Sequence, residues 1–372
     1  MKSVYSFGLA ASEDDAELRA LLSATPMGGD ISIAFQREPG FFRSARVDGI
    51  YSDVIVVRCQ GEGIVGMGIR SVRELYINGK AHRFGYLSTL RCLPEHRGGT
   101  LLPRAYRFLK SLHDSRGDVP AYITTIASGN QSALSALTGA RAGLPYYHDR
   151  GDFHTLAIPV SRRGRLRKDR QRYSICTATA RMLPAIVSFL NEQGAQRQFF
   201  PVVREEDFFI PGSKFEGLDP EDLFVAYQGD RICGVLGAWD QSAFRQQVVQ
   251  GYHNHLQYTR PLYNAWAMLR GFPKLPPPGS RIRAIMGALF VTANQDPLLL
   301  ELLVEAALES AARKGSEFLL IGFHENDACT CHLRPWSRVE YRTRLFAVSW
   351  SEFDPFLEAI DDRSPYLELG TL

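Results

Sequence analysis

The sequence predicts an α/β (α+β) chain of two tandem domains, each a mixed, mostly antiparallel twisted sheet flanked by helices. Three observations lead there. Short β-branched and aromatic runs alternate with segments whose apolar residues recur every three or four positions, as strands interleaved with amphipathic helices do. The same order of elements occurs once in each half of the chain. The 372 residues are enough for two hydrophobic cores.

Taken in order, Ser12 to Asp15 reads as a helix start, with acids in the first turn and then Ala16, Leu18, Leu21 and Leu22. Pro26, Gly28 and Gly29 stop that helix. Residues 31–42 read as a second short helix ended near Pro39-Gly40. Residues 53–59 and 62–69 are strands, and Asn78-Gly79 marks a hairpin after residue 75. Residues 86–93 form a strand, 94–99 a turn, and the following helix is apolar at Leu101, Leu102, Ala105, Phe108, Leu109 and Leu112. A strand at 121–127, a helix at 131–137 and a strand at 153–160 close the first half. The second half repeats this with strands at 174–178, 223–227, 232–239, 281–292, 318–323 and 341–350 and helices at 181–191 and 298–312. The division expected is 1–160, a basic linker at 161–172, and 173–372 with an insertion near 241–279. Residues 245–271 of the insertion read as helix, and the insertion is rich in aromatics from Phe244 to Trp266.

A net charge of +3 is too mild to argue for nucleic acid. The run 162–172 holds seven Lys/Arg and reads as a solvated linker. Six scattered cysteines show no framework spacing, and no apolar run approaches membrane-helix length, so a cytoplasmic protein is expected. His324, Cys329, Cys331 and His332 lack a standard metal-ligand spacing, and no metal is assigned.

The stretch with most chemistry is Pro94-Glu95-His96-Arg97-Gly98-Gly99 between a strand and a helix. Glycines let an anion approach the backbone, and the helix start offers free N–H groups and a favourable dipole. Arg97 adds a cation suited to phosphate oxygens. This turn resembles the acetyl-CoA-binding motif of the GCN5-related N-acetyltransferase (GNAT) superfamily, in which a strand ending V-x-P leads into R/Q-x-x-G-x-G/A. The chain supplies Pro94, Arg97 and Gly98 and departs at Thr100 and Leu102. A second resemblance is to the family's N-x-x-A-x-x-x-Y, held here by Asn130, Ala133 and Leu137, with leucine in place of tyrosine.

The resemblance implies two GNAT-like domains and transfer of an acetyl or other acyl group from acyl-CoA to an amine. The co-substrate would be held by Leu90, Arg91, Cys92, Leu93, Arg97, Gly98, Gly99, Thr100, Leu101 and Asn130. The acceptor, a small-molecule or peptide amine, would enter a split between the fourth and fifth strands. Thiolate release needs an acid, for which Tyr146 and Tyr147 are the candidates, with a core role as the alternative. For a base, His82 and Glu95 remain, or water. In the second half, ANQDPLL replaces PEHRGGT, so that half is expected not to bind CoA there. The alternatives are a non-catalytic CoA-binding protein or a transferase using another activated donor.

Overall fold

The computed structural model describes residues 4–139, 141–162, 172–270, 272–293, 296–327, 329–337 and 339–372. Its first half runs β1 (Tyr5–Leu9), α1 (Asp15–Ala24), β2 (Ile31–Gln36), α2 (Phe41–Ala45), β3 (Tyr51–Cys59), β4 (Gly63–Ile77), β5 (Lys80–Cys92), α3 (Leu101–Arg116), β6 (Tyr122–Ala127), α4 (Gln131–Leu137) and β7 (Tyr146–Pro159). The second runs β8 (Ser174–Thr177), α5 (Leu183–Gly194), β9 (Leu223–Gln228), β10 (Arg231–Trp239), β11 (Gln246–Tyr252), α6 (Asn254–Arg270), β12 (Ala284–Thr292), α7 (Pro297–Arg313), β13 (Phe318–His324), α8 (Cys329–Leu333), β14 (Val339–Ser349) and α9 (Pro355–Glu358).

Twelve strands form one sheet in the order β1-β3-β4-β5-β6-β14-β7-β13-β12-β10-β9-β8. The two halves exchange their last strands. β14, the end of the second half, lies between β6 and β7, and β7, the end of the first half, pairs with β13. The mixed sheet expected of each half is therefore present, but the two sheets are fused across their final strands.

Alternation along β3 sends neighbouring residues to opposite faces. Val54 and Val56 pack with Leu18, Leu21, Leu22 and Phe41 of α1 and α2. Ile55 joins Tyr106 and Leu109 of α3 on the other face. Leu18 and Phe41 are fully buried, which ties both short helices to the sheet. Gly117 ends α3 in the left-handed conformation, φ 57°, and donates its N–H to the His113 carbonyl.

Two expectations are corrected. Residues 31–42 are not a helix: Ile31–Gln36 is a strand, and α2 begins only after Pro39-Gly40. The insertion is not helical from residue 245, because Gln246–Tyr252 pairs with β2 before α6 starts at Asn254. Each segment finds its ladder partner in the other half, so neither reads as a strand within its own half. The ladder is extended by paired amides: Glu38 N–H donates to Gln246 Oε1 at 3.0 Å, and Gln246 Nε2 donates to the Glu38 carbonyl at 2.9 Å. Of the basic linker, residues 163–171 lie outside the described residues. Among the described residues no disulfide joins the cysteines, and no helix is long and apolar enough to cross a membrane.

Candidate functional site

β5 and β6 run parallel but pair only where Gly85 faces Tyr122 and Tyr86 faces Ile123. Glycine at 85 is sterically required, since a Cβ there would lie 2.0 Å from the Tyr122 ring. One more tie follows, from Thr124 Oγ1 to the Leu87 carbonyl at 2.7 Å. Beyond it the strands separate, and among the described residues the β5 edge facing β6 has no ladder partner. The separation coincides with a β-bulge: Ile69 lies opposite Ser88 but Met67 lies opposite Arg91, so Thr89 and Leu90 together face Gly68. Thr89 takes φ 54°, left-handed for a β-branched residue.

At the open end of the split the chain makes a short turn, Pro94–His96, and then Gly98 and Gly99 at φ 99° and 56°. Nothing lies within 4 Å of where a Cβ would stand on either glycine, so the turn is open to a ligand. Thr100 begins α3 without a side-chain cap. Among the described residues the backbone N–H groups of 98 to 102 make no internal hydrogen bond, leaving five consecutive donors at a helix start. Leu101 is the anchor, buried against Val57, Cys59 and Val65. Arg97 Nε donates to the Cys92 carbonyl at 3.1 Å, which fixes the guanidinium while its other nitrogens face solvent. His96 holds the start of the turn, with ring nitrogens 3.0 Å from Tyr5 Oη and 3.0 Å from Glu62 Oε2.

Register assigns each side of the split its own residues. Residues directly opposite in a ladder share a face. Met67 and Ile69 pack with α1 and α2, so Arg91 and Ser88 face that side, as does Tyr86. Thr343 and Tyr341 of β14 share the face of Leu345, which packs with Tyr86 and Ile123. The α3/α4 side carries Thr124 and Ser128. Three polar atoms near the open end are buried without a partner: Arg91 Nε, Thr343 Oγ1 and Ser128 Oγ. Of these, Arg91 was among the residues expected from the sequence, whereas Thr343 was not visible from spacing, because β14 reaches the split only through the strand exchange.

The remaining expected residues fall in two groups. Leu90, Cys92 and Leu93 lie on or just beyond the unpaired edge, and Asn130 caps α4 by accepting the Ala133 N–H at 3.1 Å. Tyr146 and Tyr147 are placed elsewhere. They lie opposite Ser349 and Val348 on β7, three strands from β5, about 14 Å at ordinary strand spacing. The Tyr147 hydroxyl is 2.6 Å from that of Tyr106, and burial raises both phenols, Tyr106 to about 12. The insertion of β14 between β6 and β7 is what moves them away. His82 packs on Phe356 at the hairpin end of β5, about 20 Å from the bulge by strand rise. Glu95 is exposed in the turn.

The second half repeats this geometry and fills it. β12 and β13 are parallel only over residues 284–286 and 318–320. A bulge offsets β12 against β10 between Ala288 and Val291, and Leu289 takes φ 51°. Here the Leu289 N–H donates to Glu368 Oε2 at 2.8 Å; among the described residues no side chain does this for Thr89. At the start of α7, Asp296 accepts the Leu298 N–H at 3.0 Å, and Tyr173 donates to it at 2.6 Å. Carboxyl groups of the chain thus accept N–H groups at both the bulge and the helix start of the second half, and among the described residues none does so at the corresponding groups of the first half.

Several solved structures share this architecture. A GCN5-related N-acetyltransferase from Sphaerobacter thermophilus aligns at a TM-score of 0.57 and 12% identity, over 99% of this chain and 98% of its own. Saccharomyces cerevisiae N-myristoyltransferase with bound myristoyl-CoA aligns at 0.58 and 11% identity, over 95% of this chain and 81% of that one. A GCN5-related glucosamine N-acetyltransferase region in a fungal multi-domain GH3 beta-N-acetylglucosaminidase aligns at 0.57 and 12% identity, over 93% of this chain, which spans 38% of that longer protein. No family model matches the sequence, and no curated protein matches it. At these identities the likeness is one of fold.

Proposed function

The chain has the fold of the GCN5-related N-acetyltransferases, and from that premise we propose that it transfers an acyl group from acyl-CoA to an amine at the split of its first half. The observation that carries the reading is the run of five unpaired N–H groups at residues 98–102, beside Arg97 and at the mouth of an unpaired strand edge. A pyrophosphate suits the first feature, being anionic and rich in acceptors. An extended pantetheine arm suits the second, since it can add to a free strand edge as a peptide does. The thioester would then lie near the bulge at Thr89 and Leu90, where β5 backbone groups can polarise its carbonyl.

The division of labour follows from the same geometry. The first half, taken as 1–160, holds the donor. The second, taken as 173–372, supplies β14 to the acceptor side and keeps its own split closed with Asp296 and Glu368. Neither Tyr146 nor Tyr147 is assigned the acid. Ser128, with its hydroxyl buried and unpartnered on the donor side, is the nearer group to the arm. With no carboxylate on β5, the proton of the attacking amine leaves through water.

One observation favours a second reading, a binder of acyl-CoA without turnover: Leu137 is 6% exposed in the core, where the family places a tyrosine hydroxyl. Calorimetric titration with acetyl-CoA and CoA, followed by CoA release over a panel of amines, tests both. Micromolar binding with release supports transfer, and binding without release supports the second reading. No binding of either nucleotide removes both.

A further inference from the structure

The donor reading leaves the α1/α2 side of the split without an occupant. Four arginines lie on that side. Arg37 Nη1 donates to Asp48 Oδ2 at 3.0 Å. Arg73 Nε donates to the Asp48 carbonyl at 2.7 Å, and its guanidinium lies 3.8 Å from the centre of the Tyr86 ring. Arg245 pairs with the Asp48 carboxylate and donates to the Gly370 carbonyl at 2.8 Å. The fourth, Arg91, differs. It has no carboxylate within ion-pair distance among the described residues, its Nε is buried without a partner, and its one bond is a long 3.4 Å approach to the neighbouring Leu90 carbonyl. Facing the same space is the unpartnered Thr343 Oγ1, with Tyr341 two residues away on the strand.

A buried guanidinium nitrogen without an acceptor is costly, and a hydroxyl facing the same side of the split adds a second unmet donor. Burial disfavours the Arg91 charge, nearby Tyr341 favours it, and the neighbouring Arg97 and Arg37 oppose it. One anion placed here would answer all of these demands. We infer that Arg91 and Thr343 hold a carboxylate of the acceptor, so that the substrate is a small acidic amine with its amino group a few bonds from the carboxylate.

The geometry suits the reaction. A carboxylate on Arg91 sits one residue beyond the bulge, so an amine a few bonds away faces the thioester across the split. The alternative owner of Arg91 is a phosphate of the donor. The register argues against it, since Arg91 lies on the α1/α2 face while the unpaired N–H groups begin α3, which packs on the other.

The inference rests on the acyltransferase reading, and the experiment separates the two. CoA release is measured with acetyl-CoA and amino acids whose carboxylate lies one to three carbons from the amine, each against its own carboxamide. The proteins are the wild type, Arg91→Met, Arg91→Lys and Thr343→Val. Acyl-CoA affinity is titrated on each, and binding of the same amines to the CoA-saturated protein is titrated without turnover. The expected result is about a tenfold or greater preference of the wild type for the acid over its amide, the scale of a charged hydrogen bond. That preference should collapse in Arg91→Met, weaken in Thr343→Val and partly return in Arg91→Lys, with acyl-CoA affinity within about twofold throughout. Equal use of acid and amide by the wild type overturns the inference, as does a loss in Arg91→Met that falls on acyl-CoA affinity. If acyl-CoA binds and no amine is acylated, the acyltransferase reading fails. The carboxylate site then stands or falls on the amine titration: acid bound over amide in the wild type and not in Arg91→Met supports it, and no difference removes it.

Discussion

Thr89 and Leu289 are counterparts: each is a non-glycine residue in the left-handed region, at φ 54° and 51°, and each sits in the bulge of a strand that borders a parallel split. Such a conformation costs about 1–3 kcal/mol and persists only where the surroundings hold it. The bulge therefore belongs to the geometry of both splits. What separates the halves is the fate of the amides it exposes. Glu368 takes that of Leu289, and Asp296 takes the helix start beyond. Among the described residues the corresponding groups around Thr89 and Thr100 have no such carboxylates.

If that open cradle holds a pyrophosphate, Arg97→Ala should weaken acyl-CoA binding by about 1–3 kcal/mol, the range for a lost charged hydrogen bond. The side chain is exposed and among the described residues ties only to the Cys92 carbonyl, so folding should be unaffected. Calorimetric Kd values for the variant and the wild type decide it, and an unchanged Kd removes the phosphate role.

Much of this was legible in the sequence, because the signals were local. The turn at Pro94–Gly99, the apolar stripe of α3 and the cap at Asn130 each depend on neighbours within one or two turns of chain. What was not legible depends on partners more than a hundred residues away. Residues 31–36 are a strand because of 246–252, and Thr343 reaches the split because β14 crosses to the first half. The same crossing displaces Tyr147. A single strand added between β6 and β7 leaves every local pattern intact and moves a candidate acid one strand spacing further from the reaction.

The apex of the split should be intolerant of any side chain at residue 85. Gly85→Ala would put a Cβ against the Tyr122 ring in a position bonded on both sides, with Arg70 donating to the Tyr122 hydroxyl at 3.0 Å and His113 lying 2.9 Å from it. Overpacking of this kind costs about 1–3 kcal/mol. Urea denaturation should show a lower midpoint, and a double variant Gly85→Ala/Tyr122→Leu should recover part of the steric loss. An unchanged midpoint in the single variant means that β5 and β6 are not locked together at this point.

Tyr147→Phe should behave as a core substitution. It removes one half of the Tyr106 pair and leaves a buried hydroxyl unmet, a loss of about 1 kcal/mol. Turnover should stay within about twofold, because β6 and β14 lie between Tyr147 and the edge of β5. A kcat lowered tenfold or more, with acyl-CoA affinity unchanged, would restore this tyrosine to the reaction.

The carboxyl that closes the second split should also write itself into the pH dependence of stability. Burial raises Glu368 above the ordinary 4.5, against the smaller opposing effects of its bonds to the Leu289 N–H, the Tyr366 hydroxyl and the Gly370 N–H. Between 4.5 and that raised value the folded chain keeps a proton that the unfolded chain has released. Stability then falls as pH rises, since the slope follows the protons bound unfolded minus those bound folded. The contribution is fully present below the unfolded value and lost by the time pH passes the folded one. Glu368→Gln removes the titration. The difference in unfolding free energy between wild type and variant, measured by urea denaturation from pH 4 to pH 7.5, roughly the span above the ordinary carboxyl range, should shift against the wild type as pH rises. A flat difference would mean that Glu368 enters the fold already ionised, with Leu289 held by a carboxylate at every pH tested.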